Sequence, residues 1–172
     1  MKILNLSDCP DYLQTVAEWH VREWPECYRG GDIHTAIKEL HSSLNRDCLP
    51  ITLIATVNNE LIGSISLLET DLPIMTQLGP WLTTLYVVPT HRGHGVAKAL
   101  IIEGLQCLRK LGERFAYVWI EKNVAVYQKW GWQLVEMIRY RHKYAFILRG
   151  DIAMLPILKE KGCKNNLQKN KY

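Results

Sequence analysis

The sequence predicts an α+β domain, built as a mixed and mostly antiparallel sheet of six to seven strands with helices on both faces. Three observations lead there. Apolar residues recur with a period of two in some segments and of 3.6 in others. The two patterns follow one another in the order β-α-α-β-β-β-α-β-α-β-β. At 172 residues the chain suits one domain that buries roughly 70% of its unfolded surface, so no metal or disulfide staple is needed.

Residues 2–6 form a short apolar strand, and Ser7-Asp8-Cys9-Pro10 then starts a helix with proline near its first turn. Leu13, Val16, Ala17, His20 and Trp24 share one helical face that Pro25 ends. Gly30-Gly31 breaks the chain. Ile33, Ile37, Leu40 and Leu44 mark a second helix, closed before Pro50. Residues 51–57 and 61–68 flank the turn Asn58-Asn59-Glu60 and read as a hairpin. Residues 81–88 are a third apolar, β-branched run. Ala97, Leu100, Ile101, Gly104, Leu105 and Leu108 make a helical face stopped by Gly112. Residues 115–120 read as a buried strand. Asn123 caps a short helix over 124–130, with Gly131 as its stop. Residues 133–140 and 143–152 close the sheet. The central strand–helix–strand stretch implies one parallel pair with a right-handed crossover.

The formal charge of +4 is unevenly placed. Residues 1–158 hold 16 basic and 16 acidic side chains, whereas the segment from Lys159 holds five lysines and one glutamate. We therefore expect a domain over 1–158 and a polar, disordered tail over 159–172. A neutral body argues against a broad nucleic-acid face. Five scattered cysteines without a CxxC pair read as reduced thiols. No apolar run reaches the ~18 residues of a membrane span. The expectation is a cytoplasmic protein, monomeric or homodimeric, without nucleic-acid or membrane partners.

The chemistry concentrates in Leu85–Leu100, LYVVPTHRGHGVAKAL, where a strand turns into a helix through Arg92, Gly93, His94 and Gly95. The first N–H groups of a helix lack intrahelical partners and sit at the positive end of its dipole, so an anion is favoured there. Glycines let an oxyanion approach the backbone and permit φ > 0. Arg92 adds a fork that matches a phosphate. The P-loop pattern fails at Gly93–Lys98, and the dinucleotide pattern fails because Lys98 stands where its third glycine belongs.

What remains, Arg92-x-x-Gly95-x-Ala97, resembles the coenzyme A loop of the GNAT superfamily of N-acetyltransferases. A second segment, YVWIEKNVAVYQKWGW at 117–132, resembles the later strand–helix element of that family through Asn123, Tyr127, Lys129, Gly131 and Trp132. The order of elements agrees over 1–152. The resemblance implies a GNAT-type fold with a central β-α-β unit that binds acyl-CoA, and transfer of an acetyl group from acetyl-CoA to a primary amine on a small molecule or peptide. It implies that the Leu85 N–H polarises the thioester carbonyl and that Val87 backbone groups bond the pantetheine amides. The pyrophosphate would lie on Arg92, Gly93, His94, Gly95, Val96 and Ala97. Tyr86, Asn123 and Tyr127 complete the implied cosubstrate contacts.

Acetyl transfer needs a deprotonated amine, a donor for the developing oxyanion and a proton for the departing thiolate. By resemblance Tyr127 supplies the last. Trp81 stands where some family members carry a glutamate, so Glu69 and Asp71, one strand earlier, are the candidate bases. Strand alternation puts both on one face; a backbone-held water is the other option. His91 and His94 have HxxH spacing but no third ligand, and we expect no metal. Trp19, Trp24 and Tyr28 either line the acceptor cleft or pack, and His20 is expected to be a satisfied core histidine. The first rival reading is a non-catalytic acyl-CoA-binding module of the same fold, and the second, disfavoured by the neutral body, is a nucleic-acid-binding protein that uses the basic tail and the His/Arg junction.

Overall fold

The computed structural model describes residues 1–28 and 30–159. Seven strands form one sheet: β1 (Lys2–Asn5), β2 (Ile51–Val57), β3 (Glu60–Leu68), β4 (Trp81–Val87), β5 (Phe115–Ile120), β6 (Gln133–Tyr140) and β7 (Lys143–Asp151). They lie in the order β1-β2-β3-β4-β5-β7-β6. Every neighbouring pair is antiparallel except β4 and β5. The helices are α1 (Leu13–Glu23), α2 (Ile33–Ser42), α3 (Val96–Lys110), α4 (Val124–Lys129) and α5 (Pro156–Lys159).

The sequence reading is corrected at element ends. Leu6 leaves the first strand to enter a 3-10 turn, and the proline start becomes a second such turn, Pro10–Tyr12, before α1 begins. Asn123 does not cap α4 through its side chain. It takes a left-handed conformation (φ 66°) and makes no capping bond. The closing helix α5 is new, because four residues are too few to carry a period. The expected disordered tail falls beyond Lys159, outside the described residues.

One face of the sheet carries α3, whose Leu100, Ile101, Leu105 and Leu108 pack on Leu53, Leu67 and Leu82. The other carries α1 and α2, with Leu6, Val16, Ala36 and Leu40 over Ile54 and Leu61. Beyond them, the β3–β4 connection lays Leu72, Met75 and Leu78 over Trp81, Tyr117 and Ile147. That connection folds back tightly. A Cβ on Gly79 would collide with the Glu69 carbonyl oxygen, so only glycine fits.

The α1/α2 face also buries a row of polar groups. Ser43, Thr52 and Ser66 hydroxyls link across 2.8 and 3.1 Å. His20 stands 3.3 Å from both Ser64 Oγ and the Tyr28 hydroxyl, the satisfied core histidine that its position suggested. Trp19 and Tyr28 are buried in the same cluster, and Trp24 meets the His20 ring edge-on at 5.6 Å.

Burial lowers the His20 pKa to about 4. The unfolded chain takes up this proton below about 6.5 and the folded chain does not. Stability is therefore full above 6.5 and declines as pH falls from 6.5 towards 4, by roughly 3 kcal/mol for this group. Urea titrations at pH 7.5 and 4.5 should show this slope, and His20→Gln should flatten it. An unchanged slope in the variant would assign the dependence to another group.

Candidate active site

The sheet opens at its one parallel seam. Strands β4 and β5 pair only at Trp81↔Tyr117, with one further bond from Tyr117 N–H to the Pro80 carbonyl (2.9 Å). Past that point the two strands splay, and the β5-side edge of β4 from Leu82 to Val87 has no strand partner. Backbone groups left this way need a partner, and a ligand is one. A bulge at the same place turns β4. Ser64 opposes Tyr86 and Ser66 opposes Thr83, so Thr84 and Leu85 together face the single residue Ile65. Thr84 has φ 45°, a costly conformation for a β-branched residue. Its hydroxyl oxygen is buried without a hydrogen-bond partner. Strain and an orphaned polar atom meet at the mouth of the splay.

The chain leaves β4 into the glycine junction. Gly93 and Gly95 have φ 78° and 80°, and a Cβ at either would meet nothing within 4 Å. Their conformation needs glycine, and the space above them is open. Gly95 begins α3 with no side-chain cap. The first i→i−4 bond is Ala99 N–H to the Gly95 carbonyl, at 3.0 Å, which leaves the N–H groups of Val96 and Ala97 without a backbone partner inside the helix. Val96 is buried and anchors the loop in the core. The residues fit an acyl-CoA: an unpaired strand edge for amides and an uncapped helix start for phosphates.

Arg92 departs from the expected pose. Its Nε donates to the Val87 carbonyl at 2.9 Å, an acceptor that the resemblance gave to pantetheine, and its guanidinium lies 5.8 Å over the Tyr86 ring. The two terminal nitrogens remain for a phosphate. Arg22 of α1 donates to the Tyr86 hydroxyl at 2.8 Å, so Tyr86 is held from both sides. His91 Nδ1 lies 3.1 Å from Thr90 Oγ1, and His94 Nδ1 lies 2.9 Å from the Arg92 carbonyl. Among the described residues no three His, Cys, Asp or Glu side chains gather to hold a metal.

Glu69 and Asp71 do not share an environment, as strand alternation had suggested, because β3 ends at Leu68 and both lie in the connection beyond it. Glu69 is exposed. Asp71 turns inward and accepts a short hydrogen bond from the Trp119 indole N–H and another from Thr83. It therefore bridges β4 and β5 near the start of the splay, on the α1/α2 face. Burial pushes its carboxyl above the usual carboxylate range, against the pull of those bonds and of Arg141.

Tyr127 belongs to α4 and packs against the core under α3, on the opposite face of the sheet from Asp71. Its ring meets Trp130 at 5.5 Å and Trp132 edge-on at 5.8 Å. Burial raises its hydroxyl to about 12. Asn123 lies exposed ahead of it. Sequence reasoning missed the groups around Asp71. Thr83 and Trp119 read as strand filler, and Arg141 as a turn residue. None carries a local pattern that marks it. A separate open hollow of about 510 Å³ is lined by Asp32, His34, Thr35, Lys38, Glu39 and Ser42 of α2 and its cap, and none of the groups above lines it.

Comparison with known proteins agrees with this geometry. No curated protein sequence matches the chain. Solved structures match over most of its length. One is an aminoglycoside 6′-N-acetyltransferase complexed with coenzyme A, 17% identical, with a TM-score of 0.69, covering 88% of this chain and 97% of that one. The aminoglycoside 6′-N-acetyltransferase from Enterococcus faecium is 17% identical, with a TM-score of 0.67 and the same coverage. The ribosomal-protein-alanine N-acetyltransferase from Brucella melitensis is 17% identical, with a TM-score of 0.68, covering 88% and 99%. At these identities the likeness is one of fold. The model of the acetyltransferase (GNAT) family matches residues 13–132, a span that holds the splayed seam, the glycine junction and Tyr127, and the chain belongs to that family.

Proposed function

We propose that the protein transfers an acetyl group directly from acetyl-CoA to a primary amine of a small molecule or peptide, within a ternary complex. The observation that carries this reading is the seam between β4 and β5, which opens towards an uncapped helix start. The unpaired edge of β4 holds the pantetheine amides, with the Leu85 N–H on the thioester oxygen. Arg92 and the N–H groups at the start of α3 hold the pyrophosphate.

The division of acid and base follows the two faces. Asp71 lies on the α1/α2 face and takes the proton of the incoming ammonium, directly or through water. The amine nitrogen then bonds the acetyl carbon as the carbon–sulfur bond breaks. The electron pair of that bond leaves with sulfur, which Tyr127 meets from the α3/α4 side, and the second proton of the former amine passes through water to the thiolate, giving the amide and the CoA thiol. A phenol at about 12 stays protonated over the working range. It serves the sulfur, whose thiol has a pKa of ~8.5, as a hydrogen-bond donor, without surrendering its proton outright.

Four experiments have stated outcomes. Thiol titration with the wild type should show CoA released in step with amine consumed. Tyr127→Phe should lower kcat by ~10²–10³, the usual loss for one oriented donor, with acetyl-CoA affinity nearly unchanged; full activity would remove Tyr127 from the reaction. Asp71→Asn should lower kcat/KM at pH 7 and abolish the acid limb, in which wild-type activity falls as pH drops through the raised Asp71 pKa. The Asn variant should melt no lower than the wild type, because the buried charge that it removes is penalised in the folded state. Gly95→Asp puts a negative charge into the anion site and should weaken acetyl-CoA binding more than tenfold by calorimetry.

A further inference from the structure

The rim of the acceptor face holds a cation that forms no ion pair among the described residues. Arg141 sits at the tip of the β6–β7 hairpin, where Arg141 and His142 take φ of 49° and 65°, the left-handed pair that a two-residue hairpin turn requires. The turn carries Arg141 to the connection after α1. There its Nη1 lies 3.2 Å from the Cys27 sulfur, across 114 residues of sequence. Burial pushes the Cys27 thiol above its ordinary range, so the partner is a neutral thiol rather than a thiolate. The hairpin's other cation is treated differently, since Lys143 pairs with Glu121 at 3.0 Å. Among the described residues Arg141 has no ion-pair partner, although Glu26 and Asp71 lie close enough to act on the same cluster.

Arg141 is also tied to the floor of the site. Its guanidinium lies 5.2 Å over the Tyr140 ring. Tyr140 meets Trp119 edge-on at 5.8 Å, and Trp119 donates to Asp71. A carboxylate and a guanidinium that bonds only the neutral side chains Cys27 and Tyr140 therefore flank one aromatic pair. An amine acceptor whose nitrogen reaches Asp71 presents the rest of its body to Arg141, and a guanidinium takes carboxylates through paired hydrogen bonds. A polycation would meet repulsion at the same place.

We propose that Arg141 selects the acceptor, and that the acceptor is a primary amine carrying a carboxylate, of the amino-acid class, rather than a polycationic amine. This rests on the proposed acetyltransferase reading, and the test separates the two. Glycine, β-alanine and γ-aminobutyrate, each beside its own primary amide, and spermidine are offered to the wild type, Arg141→Gln and Arg141→Lys with acetyl-CoA. In at least one pair the wild type should favour the acid over the amide tenfold or more in kcat/KM. Arg141→Gln should erase that preference by raising KM for the acid at least tenfold beyond any change shared with its amide, and Arg141→Lys should restore part of it. If Arg141 only tuned Asp71, acid and amide would change alike, and that result overturns the proposal. So does equal or better use of every amide, or spermidine as the best acceptor. Binding is read in parallel by calorimetry with CoA present. Acid binding that depends on Arg141, without CoA release from acetyl-CoA, would uphold the selectivity and sink the acetyl transfer. No binding of any acid would sink the selectivity itself.

Discussion

The whole site depends on one unmade set of backbone hydrogen bonds. A parallel seam between β4 and β5 closes at Trp81 and Tyr117 and nowhere else. Had it closed fully, the N–H and C=O groups of β4 would be satisfied and nothing could enter between the strands. The chain keeps it open through devices on each side. The bulge at Thr84 turns β4, while β7 claims β5 along its full length. Strain at Thr84 (φ 45°) is tolerated because β3 on the other edge and α3 beneath over-determine the strand.

An open seam gives two faces access to one point. From the α3 side come the glycine junction and Tyr127; from the α1/α2 side come Asp71, Trp119 and the buried hydroxyl row. The Asp71 carboxyl and the Tyr127 phenol are thus kept on opposite faces of the sheet. Each environment pushes its group towards its neutral form, Asp71 upward from the carboxylate range and Tyr127 to about 12. The cause is desolvation in both, and its use differs. A raised carboxylate is a stronger base and a raised phenol is a donor that stays protonated.

Much of this was legible in the sequence, and the reason is locality. The order of elements, the hairpin at Asn58-Asn59 and the glycines of the junction all depend on residues within a few positions of one another. The junction could be read because helix starts and glycine freedom are local physics. The acceptor face could not. Asp71, Thr83, Trp119, Cys27 and Arg141 come from five separate segments, and only strand register brings them together. Glu69 and Asp71 looked equivalent because alternation was applied past the end of β3, whereas in the connection beyond it Glu69 is exposed and Asp71 turns in to Trp119. Asn123 looked like a cap because its side chain suits one, but its left-handed backbone points the chain into α4 without it.

The strand order has a consequence for how the molecule is made. Strands β1 to β4 and helix α3 are complete by Lys110, and they pair with one another. Strand β5 has a single pair with β4, and its continuous partner is β7, which ends at Asp151. During synthesis the chain emerges from its N-terminus, so the half that carries the glycine junction can assemble while β5 is still waiting. The far wall of the seam is set last, by the strand that pins β5 away from β4. The opening is thus not carved out of a finished sheet; it is the boundary between an early half and a late one.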